Sequence, residues 1–427
     1  MSVFSEKRFG YMLHFLRGNP RLVIIPKRVF IYSLWNPYSS GSYGTKMATI
    51  QSRTGEKIED FEEAFRVIKV DENTYVGAHP LRLPATVARG VYGGHTIAQT
   101  LLVAIESTRG ADGNTFIPHS YHNYFIAAGD ARVPMTYKVE NTFDNDEVAK
   151  RSIIVIQEGR IRSTAICSLV KRGTKVSGST LDFQPPVPAL QERYPDVNSL
   201  HQVHHTDYIR NAYSDEFVDY EKAPEEQLLK PAERWITVWS GINNEVSPQY
   251  IDHPDVQELE SEKVARMKAG SIFPKSKRIP SELQKSFKDP IFNLVGLADL
   301  SDSALLTTLA RVLHLPWNPT EDHPFQEFDR DKNALLLLKD SFNVLHLFHY
   351  NAMSLDHHIY FHLDEEYDTE FDIVKDWLCF SYQVKRLANN RTLVRGHMFN
   401  KDRKCVATVI QEGLTYMFSG VPDKAKL

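Results

Sequence analysis

The stretch GGHTIAQTLLVAIEST (93–108) decides the fold. Within it Ile97, Thr100, Leu101, Ala104 and Ile105 recur at helical spacing, and Gly110 and Gly113 stop the pattern. The apolar face is too wide for a surface helix, so the segment reads as a buried one. Downstream, PHSYHNYFIAAGD (118–130) reads as strand then turn. PMTYKVENTFD (134–144), VAKRSIIVIQE (148–158) and IRSTAICSLVKR (161–172) then read as three strands joined by the turn signals DNDE and EGR. Upstream, residues 60–82 read as a strand or two ending near Pro84. One helix followed by an antiparallel meander is an α+β unit.

The same order returns further on. LVGLADLSDSALLTTLARVLH (294–314) reads as an apolar helix begun by Ser301-Asp302 as an N-cap-like pair. MSLDHHIYFHL (353–363) corresponds to PHSYHNYFI, with Tyr360-Phe361 falling on Tyr124-Phe125. DWLCFSYQVKRL, TLVRGHMFN and CVATVIQEGLTYM repeat the three strands. An internal duplication follows. VIQEG occurs twice, at 155–159 and 409–413, but Gln157 runs into a turn whereas Gln411 lies inside the last strand. Leu169 is the expected counterpart of Gln411, an apolar residue opposite a polar one, which places the chemistry in one half.

Between the copies, LDFQPPVPALQERYPD reads as a linker, and DEFVDYEKAP and ERWITVWSGI as the opening strands of the second copy. The proline-punctuated segment of about 247–290 reads as a surface insertion. The expected organisation is a basic extension over 1–46, a first repeat over 47–175, a linker over 176–204, a second repeat over 205–420, and a tail over 421–427.

Composition narrows the function classes. Over 427 residues the net charge is −4 and hydrophobic residues make up 42%, which is globular and gives no reason to expect nucleic acid. Three cysteines, Cys167, Cys379 and Cys405, cannot make a disulfide framework or a zinc-cysteine module. Residues 1–46 hold seven basic side chains and one acid, so this segment is +6 and the remainder −10. It has the composition of a mitochondrial presequence, and Met47 is an alternative start that would leave it disordered or untranslated. Its apolar runs are broken by Pro26, Lys27 and Arg28, well short of the roughly 18 residues of a membrane span. At the other end Ala425-Lys426-Leu427 resembles the peroxisomal address Ser-Lys-Leu.

YGGHTIAQTL, HSYHNYFIAAGD, LSDSALL, SLDHHIYFH and IQEG, in this order, resemble the acyl-CoA thioesterase II family over about residues 60–175 and 205–418. The resemblance leans toward the fungal peroxisomal members. It implies a double hot-dog fold, two repeats each of a buried helix wrapped by an antiparallel sheet, and hydrolysis of fatty acyl-CoA. The positions matching the family's catalytic residues are Asp302, Ser354 and Gln411, with Ser354 standing where some members carry Thr. Asp302 would accept a proton from water that Ser354 and Gln411 fix, since a thioester needs no covalent nucleophile. Backbone N–H groups, such as those of a helix N-terminus, would hold the oxyanion. No cofactor is implied. The implied partners are the acyl-CoA and an import receptor reading Ala425-Lys426-Leu427; a peroxisomal matrix location follows, with mitochondria the alternative, and a homo-oligomer is compatible.

Competing readings fare less well. No Gly-x-Ser-x-Gly elbow occurs for a serine nucleophile. AAGDARVP begins like an enoyl-CoA hydratase loop at Gly129-Asp130 but lacks its Asn and His. A catalytically inactive acyl-CoA binding protein is the non-enzymatic alternative. His357 and His358, with Asp356 and His362, invite a metal reading, yet neighbours in a strand point to opposite faces; His201, His204 and His205 carry no stronger case. Asp356 is expected to orient backbone, Gly93-Gly94 to permit a close approach, and His95 to reach the site from the first half. No basic cluster for the CoA phosphates stands out.

Overall fold

The computed structural model describes residues 58–84, 88–110, 116–173, 181, 183–204, 208–250, 281–315, 350–363 and 371–417, all within one unit, Ile50–Leu427. In the first half, helix α1 (Phe61–Phe65) leads into strands β1 (Val67–Lys69) and β2 (Thr74–Gly77). Helix α2 (Gly93–Glu106) follows, then β3 (Phe116–Phe125), β4 (Thr136–Asp144), β5 (Val148–Gln157) and β6 (Arg160–Lys171). Residues 94–105 of α2 are all buried, the mark of a helix enclosed by sheet. Its one inward amide is satisfied: Gln99 Nε2 donates to Phe65 O at 3.1 Å, and Tyr137 Oη donates to Gln99 Oε1 at 2.5 Å.

The second half contains β7 (His201–His204), β8 (Ile209–Tyr213), β9 (Ile236–Ile242), helices α3 (Ile291–Leu300) and α4 (Leu309–Val312), β10 (Tyr350–Ser354), β11 (Asp356–Phe361), β12 (Leu378–Ala388), β13 (Arg391–Phe399) and β14 (Cys405–Met417). The strands form one antiparallel sheet ordered β1-β2-β4-β5-β6-β3-β11-β14-β13-β12-β9-β8-β7, with β10 also on β14. The halves join at β3–β11. There His122 pairs with His358, Tyr124 with Asp356 and Ser120 with Tyr360. The residues matched by the duplication therefore meet about a local twofold centred on the His122–His358 pair. Each half is an α+β hot-dog layer, a sheet curved around one buried helix.

That register corrects one expectation. Ile166 lies opposite His122 and Ile410 opposite His358, so the counterpart of Gln411 is Cys167, not Leu169. The two-residue slip keeps the same face of the strand, and the counterpart remains a fully buried, weakly polar residue.

Four element boundaries also differ from expectation. Residues 61–65 are helical rather than extended, because Asp60 accepts the Glu63 N–H at 3.0 Å as an N-cap. DEFVDYEKAP is helical too: Ser214 Oγ caps Phe217 N, and Asp215 and Glu216 occupy the first turn. Part of the expected linker, 201–204, is a strand on β8. The long helix expected over 294–314 is instead α3, an irregular segment over 301–308 and α4, with Ser301-Asp302 following α3 rather than capping its start. Its N-terminal capping belongs to Asp289-Pro290, where Asp289 Oδ1 accepts the Ile291 N–H at 3.0 Å. Ser301 Oγ turns back to Ala298 O at 2.7 Å, a bond that suits a helix end. The ends of the expected insertion are tied together, with Val246 bridging Gln284 and Ser247 N donating to Leu283 O; 251–280 lie outside the described residues.

Candidate active site

Helices α2 and α3 pack so that the N-terminus of the first meets the C-terminal end of the second. Tyr92 Oη donates to Asp299 O at 3.3 Å, and at the opposite ends Arg109 pairs with Asp289 at 2.9 Å. The contact is close because the first turn of α2 is Gly93-Gly94. A Cβ on Gly94 would lie 2.6 Å from Asp299 O, and one on Gly93 would lie 2.6 Å from Asp302 Oδ2. A side chain at Gly94 would force the helix ends apart, and one at Gly93 would displace the Asp302 carboxylate.

Asp302 thus leaves the end of α3 directly beneath the N-terminus of α2, whose Gly94 N–H lies near its carboxylate and favours the charged form. From the sheet side, Gln411 on β14 donates through Nε2 to Asp302 Oδ1 at 2.6 Å and to Ser354 Oγ at 2.7 Å. Ser354, the last residue of β10, also lies near enough to Asp302 to favour its charged form. The three side chains form a triangle joined through Gln411, although Asp302 and Gln411 are 109 residues apart in sequence.

A break in the strand presents Ser354 to the triangle. β10 and β11 both pair with β14, and Leu355 between them donates its N–H to Glu412 O at 2.8 Å. Asp356 Oδ1 accepts the Glu412 N–H at 2.7 Å and locks the break beside Gln411. Asp356 thus orients backbone and stays out of the triangle.

Burial pushes the Asp302 carboxyl up to about 7, and the nearby Asp299 charge adds to the effect. The Gln411 hydrogen bond, with the nearby Gly94 N–H and Ser354 hydroxyl, opposes it without cancelling it. The result is a carboxyl that exchanges a proton near neutrality. His357 lies beside it, fully buried, with Nδ1 3.9 Å from Asp302 Oδ1. Burial holds this imidazole down at about 3, so it is neutral at pH 7. Ser301 has a single hydroxyl proton, which goes to Ala298 O, so His357 Nε2–H is the donor in its 2.8 Å contact with Ser301 Oγ. The Nδ1 lone pair is then left facing Asp302 with no hydrogen-bond partner among the described residues.

Other expected participants lie elsewhere. His95 turns away from the triangle and meets Asp299 Oδ1 through Nδ1 at 2.8 Å, a buried pair that crosses between the halves. His357 and His358 do point to opposite faces of β11, and His358 meets His122 at 2.9 Å on the other side. His362 bonds to Thr408. His201 and His204 stand in β7, His205 is outside the described residues, and Ala425-Lys426-Leu427 are outside them as well. Gln157 is in β5, bonded to the 130–133 turn, and is not the counterpart of Gln411. The sequence reading missed Gly94 N–H, Ser301 and His357. The first acts through backbone, and the other two sit next to named residues with no spacing signal of their own.

Residues 283–415, which hold the whole triangle, match the family described as acyl-CoA thioesterase C-terminal domain. The chain is 23% identical over 389 residues to peroxisomal acyl-coenzyme A thioester hydrolase 1 of Saccharomyces cerevisiae, covering 86% of this chain and 97% of that one. The chain is thus similar to acyl-CoA thioesterases over most of its length. Another relative is acyl-CoA thioesterase 2 of Haemophilus influenzae, 23% identical over 329 residues, 76% of this chain and 87% of that one. A solved protein with a hot dog fold from Alicyclobacillus acidocaldarius superimposes with a TM-score of 0.50 at 13% identity, covering 84% of this chain and 98% of the other. The matched region meets Gly93 and Gly94 of the first half at the candidate site.

Proposed function

We propose that the protein hydrolyses fatty acyl-CoA to free fatty acid and CoA, with Asp302 as the base that activates water. The observation that carries this reading is the triangle of Asp302, Gln411 and Ser354, joined through Gln411 under a helix N-terminus, with its carboxyl pushed up to about 7. A base poised near the working pH combines useful deprotonation with useful proton affinity. Water held by Ser354 and Gln411 gives one proton to Asp302 as its oxygen attacks the thioester carbonyl. The first-turn N–H groups of α2 supply donors and a positive dipole end for the resulting oxyanion. Collapse breaks the C–S bond, and the proton on Asp302 goes to the departing CoA thiolate. The acyl chain would lie between the repeats, against apolar helix faces.

A peroxisomal matrix location is part of the proposal. It is supported by the Ala425-Lys426-Leu427 tail and by the name of the yeast relative. An import receptor would be the partner for that tail.

Single-turnover hydrolysis in ¹⁸O-water tests the mechanism. Direct attack puts the label in the fatty acid during the first turnover and none in the protein. Label appearing in the Asp302 carboxyl would mean a covalent acyl intermediate and would overturn the base role. Loss of the enoyl chromophore from an enoyl-CoA without thiol release would support a hydratase instead, and tight acyl-CoA binding with no turnover an inactive binder.

A further inference from the structure

Beyond the triangle, the chain forms a second polar concavity of about 260 Å³, bordered by Leu83, Arg89, Ala128, Asp130, Arg132 and Arg162. Three arginines face one carboxylate, a local excess of +2 in a body that is otherwise acidic. The arginines come from three separate segments, which is why no basic cluster shows in the sequence. The volume falls below the roughly 300–1,000 Å³ of sites that enclose a whole drug-sized ligand, and it suits one end of a longer molecule.

The pocket is built rather than incidental. Gln157, buried to 1%, accepts the Asp130 N–H at 2.7 Å and donates to Asp130 O at 2.9 Å and Val133 O at 2.6 Å, clamping the turn that carries Arg132. Asp130 in turn holds Arg132 in a two-pronged ion pair, Oδ1 accepting from Nε at 2.9 Å and Oδ2 from Nη2 at 2.5 Å, which orients the guanidinium and leaves its Nη1 edge for a further anion. Arg162 Nη1 donates to Ala128 O at 2.8 Å, which sets a second guanidinium against the wall. Arg89 enters from the segment before α2, held by the Val91 N–H to Gly129 O at 3.0 Å.

The same segments lead into the triangle. Arg89 is four residues before Gly93, so their Cα atoms are at most about 14 Å apart. Ala128 is three residues beyond Phe125, at most about 11 Å away. The Phe125 ring lies 3.2 Å from where a Gly93 Cβ would stand, and its N–H donates to Leu355 O beside Ser354. An extended pantetheine arm covers such a separation.

We propose that Arg89, Arg132 and Arg162 form the phosphate-binding end of the acyl-CoA site, taking the anionic nucleotide portion of CoA while its thioester reaches Asp302. The assignment rests on the thioesterase reading. It also gives Gln157 a positioning role through the turn it clamps. Planar guanidinium forks suit phosphate oxygens, and their attraction is lost as salt rises.

The test compares steady-state hydrolysis of one acyl group carried on CoA, on 3′-dephospho-CoA and on pantetheine, by wild type, Arg89→Ala and Arg132→Ala. Each variant should raise KM for the acyl-CoA about tenfold with little change in kcat, and its kcat/KM for the phosphate-free acyl-pantetheine should stay near the wild-type value. A loss shared by dephospho-CoA assigns the diphosphate, and one confined to CoA assigns the 3′-phosphate; either upholds the site. Equal losses on all three carriers, or none, would overturn it. Should the wild type hydrolyse no carrier, the thioesterase reading fails by itself, and calorimetric binding of CoA to wild type and Arg89→Ala then judges the pocket: unchanged affinity rejects it, and a tenfold weakening upholds it.

Discussion

A carboxylate with only 9% of its surface exposed is costly to keep ionised, and the Gln411 hydrogen bond with the nearby Gly94 N–H and Ser354 hydroxyl does not fully offset that cost. In the proposed mechanism the base form is the reactive one, so kcat/KM for an acyl-CoA should rise with pH and level off above about 7, as a pH–rate profile would show. Stability should move the other way. The folded carboxyl titrates above its ordinary 3.8, so its favourable contribution is complete below about pH 4 and is lost as pH rises through about 7. Asp302→Asn should therefore gain stability over wild type between pH 5 and pH 8, by on the order of 3 kcal/mol, in denaturant melts at the two pH values. No widening of that gap would mean that the carboxyl titrates normally. Ser354→Ala should lower kcat about 10²-fold while Ser354→Thr, which keeps the hydroxyl, retains most of it. Asp302, Ser354 and Gln411 could be named from sequence because the family resemblance carries them as side chains at fixed motif positions. Their mutual contact could not be read, since it depends on two strands and a helix end closing over 109 residues.

At the scale of elements, the junction of α2 and α3 supports the site, and glycine makes it possible. Gly93→Ala would place a methyl group 2.6 Å from Asp302 Oδ2 and 3.2 Å from the Phe125 ring. Activity should fall at least tenfold while the circular-dichroism spectrum stays native, because the carboxylate is displaced more easily than the helix. On α3, Asp299 shares the buried space with Asp302 and raises its proton affinity. Asp299→Asn should move the acid limb of the pH–rate profile to lower pH; an unmoved limb would remove Asp299 from the account. The apolar run before Ser301 announced α3, but its end was misplaced. Ser-Asp is chemically suited to either end of a helix, and only the contacts with His357 and Gln411 fix which end.

For the molecule as a whole, the duplication was legible because strand alternation and the two apolar helices recur in the same order. The join was not legible, because the β3–β11 pairing depends on which two edges meet, and the Cys167 register follows from that pairing. The site draws Gly93 and Gly94 from one half and the triangle from the other, across a continuous sheet. Unfolding followed by tryptophan fluorescence, whose probes include Trp239 and Trp377 of the second half, should coincide with far-ultraviolet loss for the whole molecule in one transition. Separate transitions would show that the halves are independent. The most direct measurement is free-thiol release from a panel of acyl-CoAs by wild type and Asp302→Asn at pH 8. The account predicts turnover by the wild type and a loss of at least 10³-fold in kcat for the variant, with its fold retained. A silent wild type, or a variant that turns over undiminished, would contradict it.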